Sequence, residues 1–312
     1  MRERKLGATG IQVSELSLGT WGISGDAYGA APDGEAKRVI ERARLMGINL
    51  FETADSYAAG NLESLLGEVL KDSKATVVTK WGTDLEMNPA QKRFEPEYLK
   101  RCAEASKKQI GSEVRLIALL HNPSSDAIKK GEATETMREL QKDGVIESWG
   151  VSAGDHEVAQ AALEEKAPIL SLSYNILQVQ PLRALESEIK KQETGLLAHS
   201  VLFYGLLTGR WAPNKTFRVL DHRSERWPTG VGPRIRHLDA VRPLVSGEVS
   251  TMRSAAVRFV LSNPLITSAV LGARTSSQLD QLVRECRGEP PYISEAKLSA
   301  LESRLLQLEL PR

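Results

Sequence analysis

Residues 115–152, RLIALLHNPSSDAIKKGEATETMRELQKDGVIESWGVS, hold the pattern on which the fold turns. A short apolar run, Arg115–Leu120, gives way to a helical pattern over 132–143. Gly144 stands where that helix would stop, and a second short run follows at Ser148–Ser152. This reads as one strand–helix–strand unit with parallel strands.

Working outward, the same alternation recurs along the chain. Strands are expected at Leu16–Gly19, Asn49–Glu52, Thr76–Thr79, Arg115–Leu120, Ser148–Ser152, Ile169–Ser173, Gly195–His199 and Ile266–Leu271. Helices are expected near 34–46, 61–71, 95–110, 132–143, 155–165, 182–193, 251–262 and 276–286. Pro96 and Ser276-Ser277 are the start signals, while Gly47, Gly111 and Gly144 are the stops. Eight such units close into a (β/α)8 TIM barrel of the α/β class, expected as a single domain over 1–312. A doubly wound open sheet is the alternative, against which counts the missing G-x-G-x-x-G after the first strand. Three additions decorate the repeat. These are an N-terminal hairpin (Arg4–Leu6 and Ile11–Val13 about a Gly7–Gly10 turn), a long loop at 210–247 after strand seven, and an extra helix over Ser294–Leu308. In a barrel, that long loop lies over the active face.

Composition sets the class. With 41% hydrophobic and 26% charged residues the chain is an ordinary globular one, and a formal charge of +1 gives no overall field for nucleic acid or an anionic membrane. Cys102 and Cys286, without a second Cys or His at metal-ligand spacing, read as reduced packing residues, and no metal site is expected. No signal peptide or run of 18 apolar residues is found, which makes a cytoplasmic location the expectation.

In a barrel the strand C-terminal ends converge on one face. The second strand ends Phe51-Glu52-Thr53-Ala54-Asp55-Ser56-Tyr57, the third Thr79-Lys80-Trp81, the fourth Leu120-His121-Asn122, and the fifth Val151-Ser152. A carboxylate, a phenol, an ammonium and an imidazole therefore meet, a set suited to giving a proton to a carbonyl that receives hydride. Free tyrosine titrates near pH ~10. Lys80 is expected to lower that value for Tyr57, Glu52 to compensate the buried Lys80, and His121 to orient the substrate oxygen. Trp21 and Trp81 are expected to wall the substrate pocket, and Trp211, Trp227 and Phe203 to close over a ligand. His156, His222 and His237 read as solvated, and Asp55 as a packing or helix-start residue. The arginines 210, 218, 223, 226, 234 and 236, set against Asp221 and Glu225, allow an anionic ligand at the mouth.

From Leu6 to about Arg284 the chain resembles the aldo-keto reductase family. The likeness rests on Leu6-Gly-Ala-Thr-Gly-Ile-Gln-Val-Ser14, Leu18-Gly-Thr-Trp21, Gly144-Val-Ile-Glu-Ser-Trp-Gly-Val-Ser152, Tyr174-Asn175, Gly205-Leu-Leu-Thr-Gly209 and Val270-Leu-Gly-Ala-Arg274. The family's catalytic Asp, Tyr, Lys and His fall on Glu52, Tyr57, Lys80 and His121. The resemblance implies NADPH/NADP bound across the barrel mouth, with a small carbonyl or alcohol substrate. It implies Ser152 and Ser171 at the carboxamide, His199 stacked on the nicotinamide, Ser200, Leu202 and Gly205 along the pyrophosphate, and Arg274 with Gln278 at the 2′-phosphate end. Five positions depart from the family pattern: Glu52 for Asp, Ala153 for Asn, Ser171 for Gln, His199 for an aromatic, and Leu282 for Asn. Those departures carry the alternative, a non-redox lyase or isomerase using Tyr57, Lys80 and His121 as acid and base. A nucleotide-sensing regulatory subunit is the third reading.

Overall fold

The computed structural model describes residues 1–307. Strands β1 (Glu3–Lys5) and β2 (Gln12–Ser14) form an antiparallel hairpin. It is shifted one residue from the expected pairing, and Leu6, Ile11 and Val13 turn into the barrel's floor instead. Gly7 makes this possible: its φ is +53°, and a Cβ there would lie 2.2 Å from the Glu193 carbonyl.

The barrel strands follow in order: β3 (Leu16–Gly19), β4 (Leu50–Glu52) and β5 (Thr76–Trp81). After a two-residue hairpin, β6 (Thr83–Asp84) with β7 (Gln91–Lys92), come β8 (Arg115–His121), β9 (Ser148–Ser152), β10 (Ile169–Ser173), β11 (Gly195–His199) and β12 (Ile266–Leu271). The eight long-paired strands close into one parallel barrel in which β12 returns to β3. Five have the expected bounds. Strand β4 starts one residue late because the Asn49 side chain leaves the ladder to accept from Ser14 N and donate to Glu3. Strands β5 and β8 run further than expected, pairing Lys80 with Leu119, Trp81 with Leu120 and His121 with Ser152.

Helices surround the barrel: α1 (Glu35–Leu45), α2 (Asn61–Leu70), α3 (Pro96–Ile110), α4 (Ser125–Lys129), α5 (Glu132–Lys142), α6 (His156–Glu164), α7 (Gln180–Gln192), α8 (Arg223–Arg226), α9 (Gly232–Ile235), α10 (Leu238–Val241), α11 (Met252–Ser262), α12 (Ser276–Cys286) and α13 (Glu295–Gln307). Pro96 is the first residue of α3, where a missing N–H costs nothing. The start signal of α12 is Thr275, whose hydroxyl accepts from Gln278 N, so the expected Ser276-Ser277 pair lies inside the helix. The tail helix is α13; Leu308, expected at its end, lies outside the described residues.

Strand alternation divides the apolar side chains into two layers. Leu50, Val78, Ile117, Leu119, Ile169, Leu197 and Val270 fill the barrel. Phe51, Val77, Trp81, Leu116, Ala118, Leu120 and Val151 face the helices. The 210–247 segment is partly helical, holding α8 to α10, and packs Trp227, Val231, Leu238, Val241 and Leu244 into its own cluster with α11. No helix among the described residues is long and apolar enough to cross a membrane.

Candidate active site

The same alternation that buries Leu50, Val78 and Leu119 points the next inward residues, Glu52, Lys80 and His121, toward the barrel mouth. They line a cavity of about 610 Å3 together with Tyr57, Ser152, His199, Ser200, Leu202, Gly205, Arg274, Gln278 and Trp21. That volume falls within the ~300–1,000 Å3 usual for small-molecule sites.

Lys80 and Glu52, 2% and 6% exposed, form a direct ion pair between Nζ and Oε1. The ammonium lies over the Tyr57 ring, 4.9 Å from its centroid. His121 meets that ring edge-on, with centroids 6.1 Å apart. Burial, aided by Lys92, pulls Lys80 well below the ordinary lysine value. The same forces, with Lys80 and His199 beside it, bring His121 down to about 2, so its ring is neutral at every ordinary pH. Burial and Lys80 likewise hold His199 at about 4.

The expected lowering of the Tyr57 phenol is not found. Burial raises it well above the ordinary value, and Asp26, Asp55 and Tyr28 add to the rise. Lys80 pairs with Glu52 and lies over the Tyr57 ring, and burial leaves Tyr57 a protonated phenol, the form that can donate.

Tyr57 sits where the chain turns sharply. Ala58 and Ala59 take φ of 50° and 51°, a left-handed region costly for residues bearing a Cβ. Asp26 offsets that cost by accepting from Ala58 N at 2.9 Å.

Two expected site residues lie elsewhere. Trp81 is fully buried among the helices and donates from Nε1 to Ser106 of α3. It follows inward-facing Lys80 by one residue, so it must point outward. Ser171 is also fully buried and does not line the cavity. Its buried hydroxyl has no hydrogen-bond partner among the described residues.

The mouth differs from expectation as well. Trp211 lines the cavity, whereas Trp227 is core and Phe203 packs against it. His222 is not solvated: its ring packs tilted against Trp21 at 4.6 Å and edge-on to Tyr28 at 4.9 Å, and its backbone N–H donates to the Ala27 carbonyl. His237 is buried. Burial holds Asp55 near 7, with Glu63 adding to the rise and Cys102 within reach.

Several residues of the site were not read from sequence, namely Asp26, Tyr28, Thr83, Lys92 and Arg253. They lie on loops, two-residue strands and the outer helices, where no periodicity marks a face.

Part of the cavity lining is cationic. Arg210, Arg253 and Arg274 form it; Arg253 is paired with Glu285, while Arg210 makes no ion pair among the described residues. Arg274 is tied to the Gly29 and Ala30 carbonyls, and its Nε is buried without a partner. The Arg210 guanidinium and the unpartnered Arg274 N–H suit phosphate groups, so this lining fits a dinucleotide. Ser152 also lines the cavity, its hydroxyl donating to Asn122 at 3.5 Å as its one side-chain hydrogen bond among the described residues.

The profile of the Aldo/keto reductase family matches residues 15–292. The aldo-keto reductase YhdN of Bacillus subtilis (strain 168) is 27% identical over 293 residues, covering 90% of this chain and 88% of that protein. A probable voltage-gated potassium channel subunit beta from Oryza sativa subsp. japonica is 24% identical, with 89% of each chain covered. Among solved structures, the glycerol dehydrogenase AKR11B4 from Gluconobacter oxydans superposes with a TM-score of 0.82 at 26% identity, over 99% of this chain and 96% of that one. With its parallel eight-stranded barrel and a profile match over nearly its whole length, the chain belongs to the Aldo/keto reductase family, a family of oxidoreductases.

Proposed function

We propose that the protein is an NADPH-dependent oxidoreductase that reduces an aldehyde or ketone, or oxidises the alcohol in reverse, with Tyr57 as proton donor. The observation that carries this reading is that Tyr57, Lys80, Glu52 and His121 line one cavity together with Arg210, Arg253 and Arg274.

Arg274 and Gln278 would hold the adenosine 2′-phosphate end, Ser200, Leu202 and Gly205 the pyrophosphate, and Ser152 with His199 the nicotinamide. When bound, the reduced nicotinamide supplies the hydride that turns a carbonyl carbon into an alcohol carbon. Tyr57 then gives its phenolic proton to the oxygen. Lys80, kept in place by Glu52, stabilises the negative charge left on the phenol oxygen. His121, neutral, hydrogen-bonds the same oxygen and orients it. Trp21 and Tyr28, packed against His222 behind them, wall the site and would limit water. An anionic substrate group would find Arg223 and Arg210 at the mouth.

NADPH fluorescence titration, followed by single-turnover oxidation with a panel of aldehydes and ketones, tests the reading. Absence of nucleotide binding by folded protein overturns it.

A second reading, a lyase or isomerase on the same acid–base groups, is favoured by Ser171 and Ala153. Both lie off the cavity where family members make amide contacts. It predicts turnover without NADPH consumption, abolished by Tyr57→Phe. A regulatory role, such as the name of the rice relative carries, would show in the same assays as nucleotide binding with no carbonyl turnover.

A further inference from the structure

The β6–β7 hairpin leaves the top of β5 through Gly82, whose φ is +115° and whose Cβ would lie 2.1 Å from the Phe94 ring. Only glycine fits so tight a turn, and the Arg93–Asp84 ion pair and the Arg93 N to Gly82 O bond hold the hairpin closed. Within it Thr83 and Lys92 are register partners. Lys92 Nζ donates to Thr83 Oγ1 at 2.7 Å, and the same oxygen lies 3.4 Å from His121 Nδ1. This is the side-chain hydrogen bond His121 makes among the described residues.

The direction of that second contact follows from the first. An ammonium has donors only, so Thr83 Oγ1 accepts from Lys92. A hydroxyl that accepts from a cation becomes a stronger donor and a poorer acceptor. Its single proton is then directed at His121 Nδ1, which must offer a lone pair. His121 is neutral and carries one ring proton, so that proton resides on Nε2.

We propose that Thr83 and Lys92 are positioning residues that fix His121 as its Nε2–H tautomer, so that the ring presents a donor to an oxygen in the cavity. The inference rests on the reading above, in which His121 faces the substrate oxygen. Without the relay, the tautomer with the proton on Nδ1 would aim a lone pair at that oxygen and repel it. Lys92 has a second effect: together with Lys80 it disfavours a second ring proton.

The test reads the tautomer directly. Nitrogen-15 ring shifts of His121 in the ligand-free protein should report Nε2–H in the wild type. They should show a mixed or Nδ1–H ring in Thr83→Val, a partial change in Lys92→Met, and recovery of the wild-type pattern in Thr83→Ser. In carbonyl reduction Thr83→Val should lose kcat by about tenfold, with NADPH affinity and KM within about twofold. Thr83→Ser should restore kcat. An Nδ1–H ring in the wild type, or no change of ring shifts in Thr83→Val, overturns the proposal. A changed tautomer with unchanged kcat supports the relay and instead removes His121 from the catalytic reading.

Discussion

Replacing Glu52 with Gln while Lys80 stays in place strands a buried ammonium. Both groups are nearly sealed from water, with 2% exposure for Lys80 and 6% for Glu52, and they are each other's ion-pair partner. Breaking such a pair from one side costs about 3–5 kcal/mol, because the remaining charge has neither solvent nor partner. At this chain length roughly 2 °C of Tm accompanies each kcal/mol, so Glu52→Gln should unfold about 6–10 °C below the wild type. Lys80→Met, which strands Glu52 instead, should lose a similar amount. The double variant removes both charges and should lose far less than the two single losses together, leaving a coupling of more than about 2 kcal/mol.

Acidity sharpens the case. Burial already lowers Lys80, and loss of Glu52 lowers it further, so the stranded ammonium escapes by giving up its proton as pH rises. The folded-state value then lies below the unfolded one, and stability falls as pH falls. Glu52→Gln should therefore be most destabilised near pH 6 and approach the wild type near pH 10. Urea unfolding of the four proteins, followed by far-UV circular dichroism at both pH values, measures all of this. If the single losses add in the double variant to within about 0.5 kcal/mol, Glu52 does not compensate Lys80 and the account of the pair is wrong.

Tyr57→Phe should bind NADPH as the wild type does but lose about 10²–10⁴-fold in single-turnover reduction; retained turnover would assign the proton to another group. Arg274→Met should weaken NADPH roughly 10- to 100-fold and NADH less, as read by fluorescence titration, and equal losses would move the 2′-phosphate away from this residue. Asp55 is held near 7 against an ordinary 3.8, so the wild type loses stability as pH rises from about 4 through 7. Asp55→Asn should escape that loss, gaining on the wild type by up to about 4 kcal/mol over the same range, and a pH-independent difference would refute it.

The barrel was legible because its strands are short apolar runs buried on both faces, and five of them have their expected bounds. That same double burial hid which face each residue takes. In Ala75-Thr-Val-Val-Thr-Lys-Trp81 every position is buried, so no polar–apolar alternation marks inside from outside, and the sequence alone sends Trp81 to the pocket wall. The parity could have been anchored on Lys80: a lysine at the end of a buried strand must face the cavity, which sends its neighbour Trp81 outward. Ser171 shows the opposite failure, with the correct inward parity and a side chain that does not line the cavity.

The loops were not legible. Strands β6 and β7 are two residues each, below any periodic signal, and Lys92 in Gln91-Lys92-Arg93 looks like any surface lysine. His222 is placed by Trp21 and Tyr28, about 200 residues away in sequence, through packing that no local pattern encodes. The division has a functional consequence. The acid–base groups Glu52, Lys80 and His121 ride on ladder residues that the barrel itself holds, whereas Trp21, Tyr28, His222 and Arg223 depend on two loops packed against each other. Substitution at the strand ends should therefore fall mainly on kcat, and substitution in those loops mainly on KM and on which carbonyl is accepted.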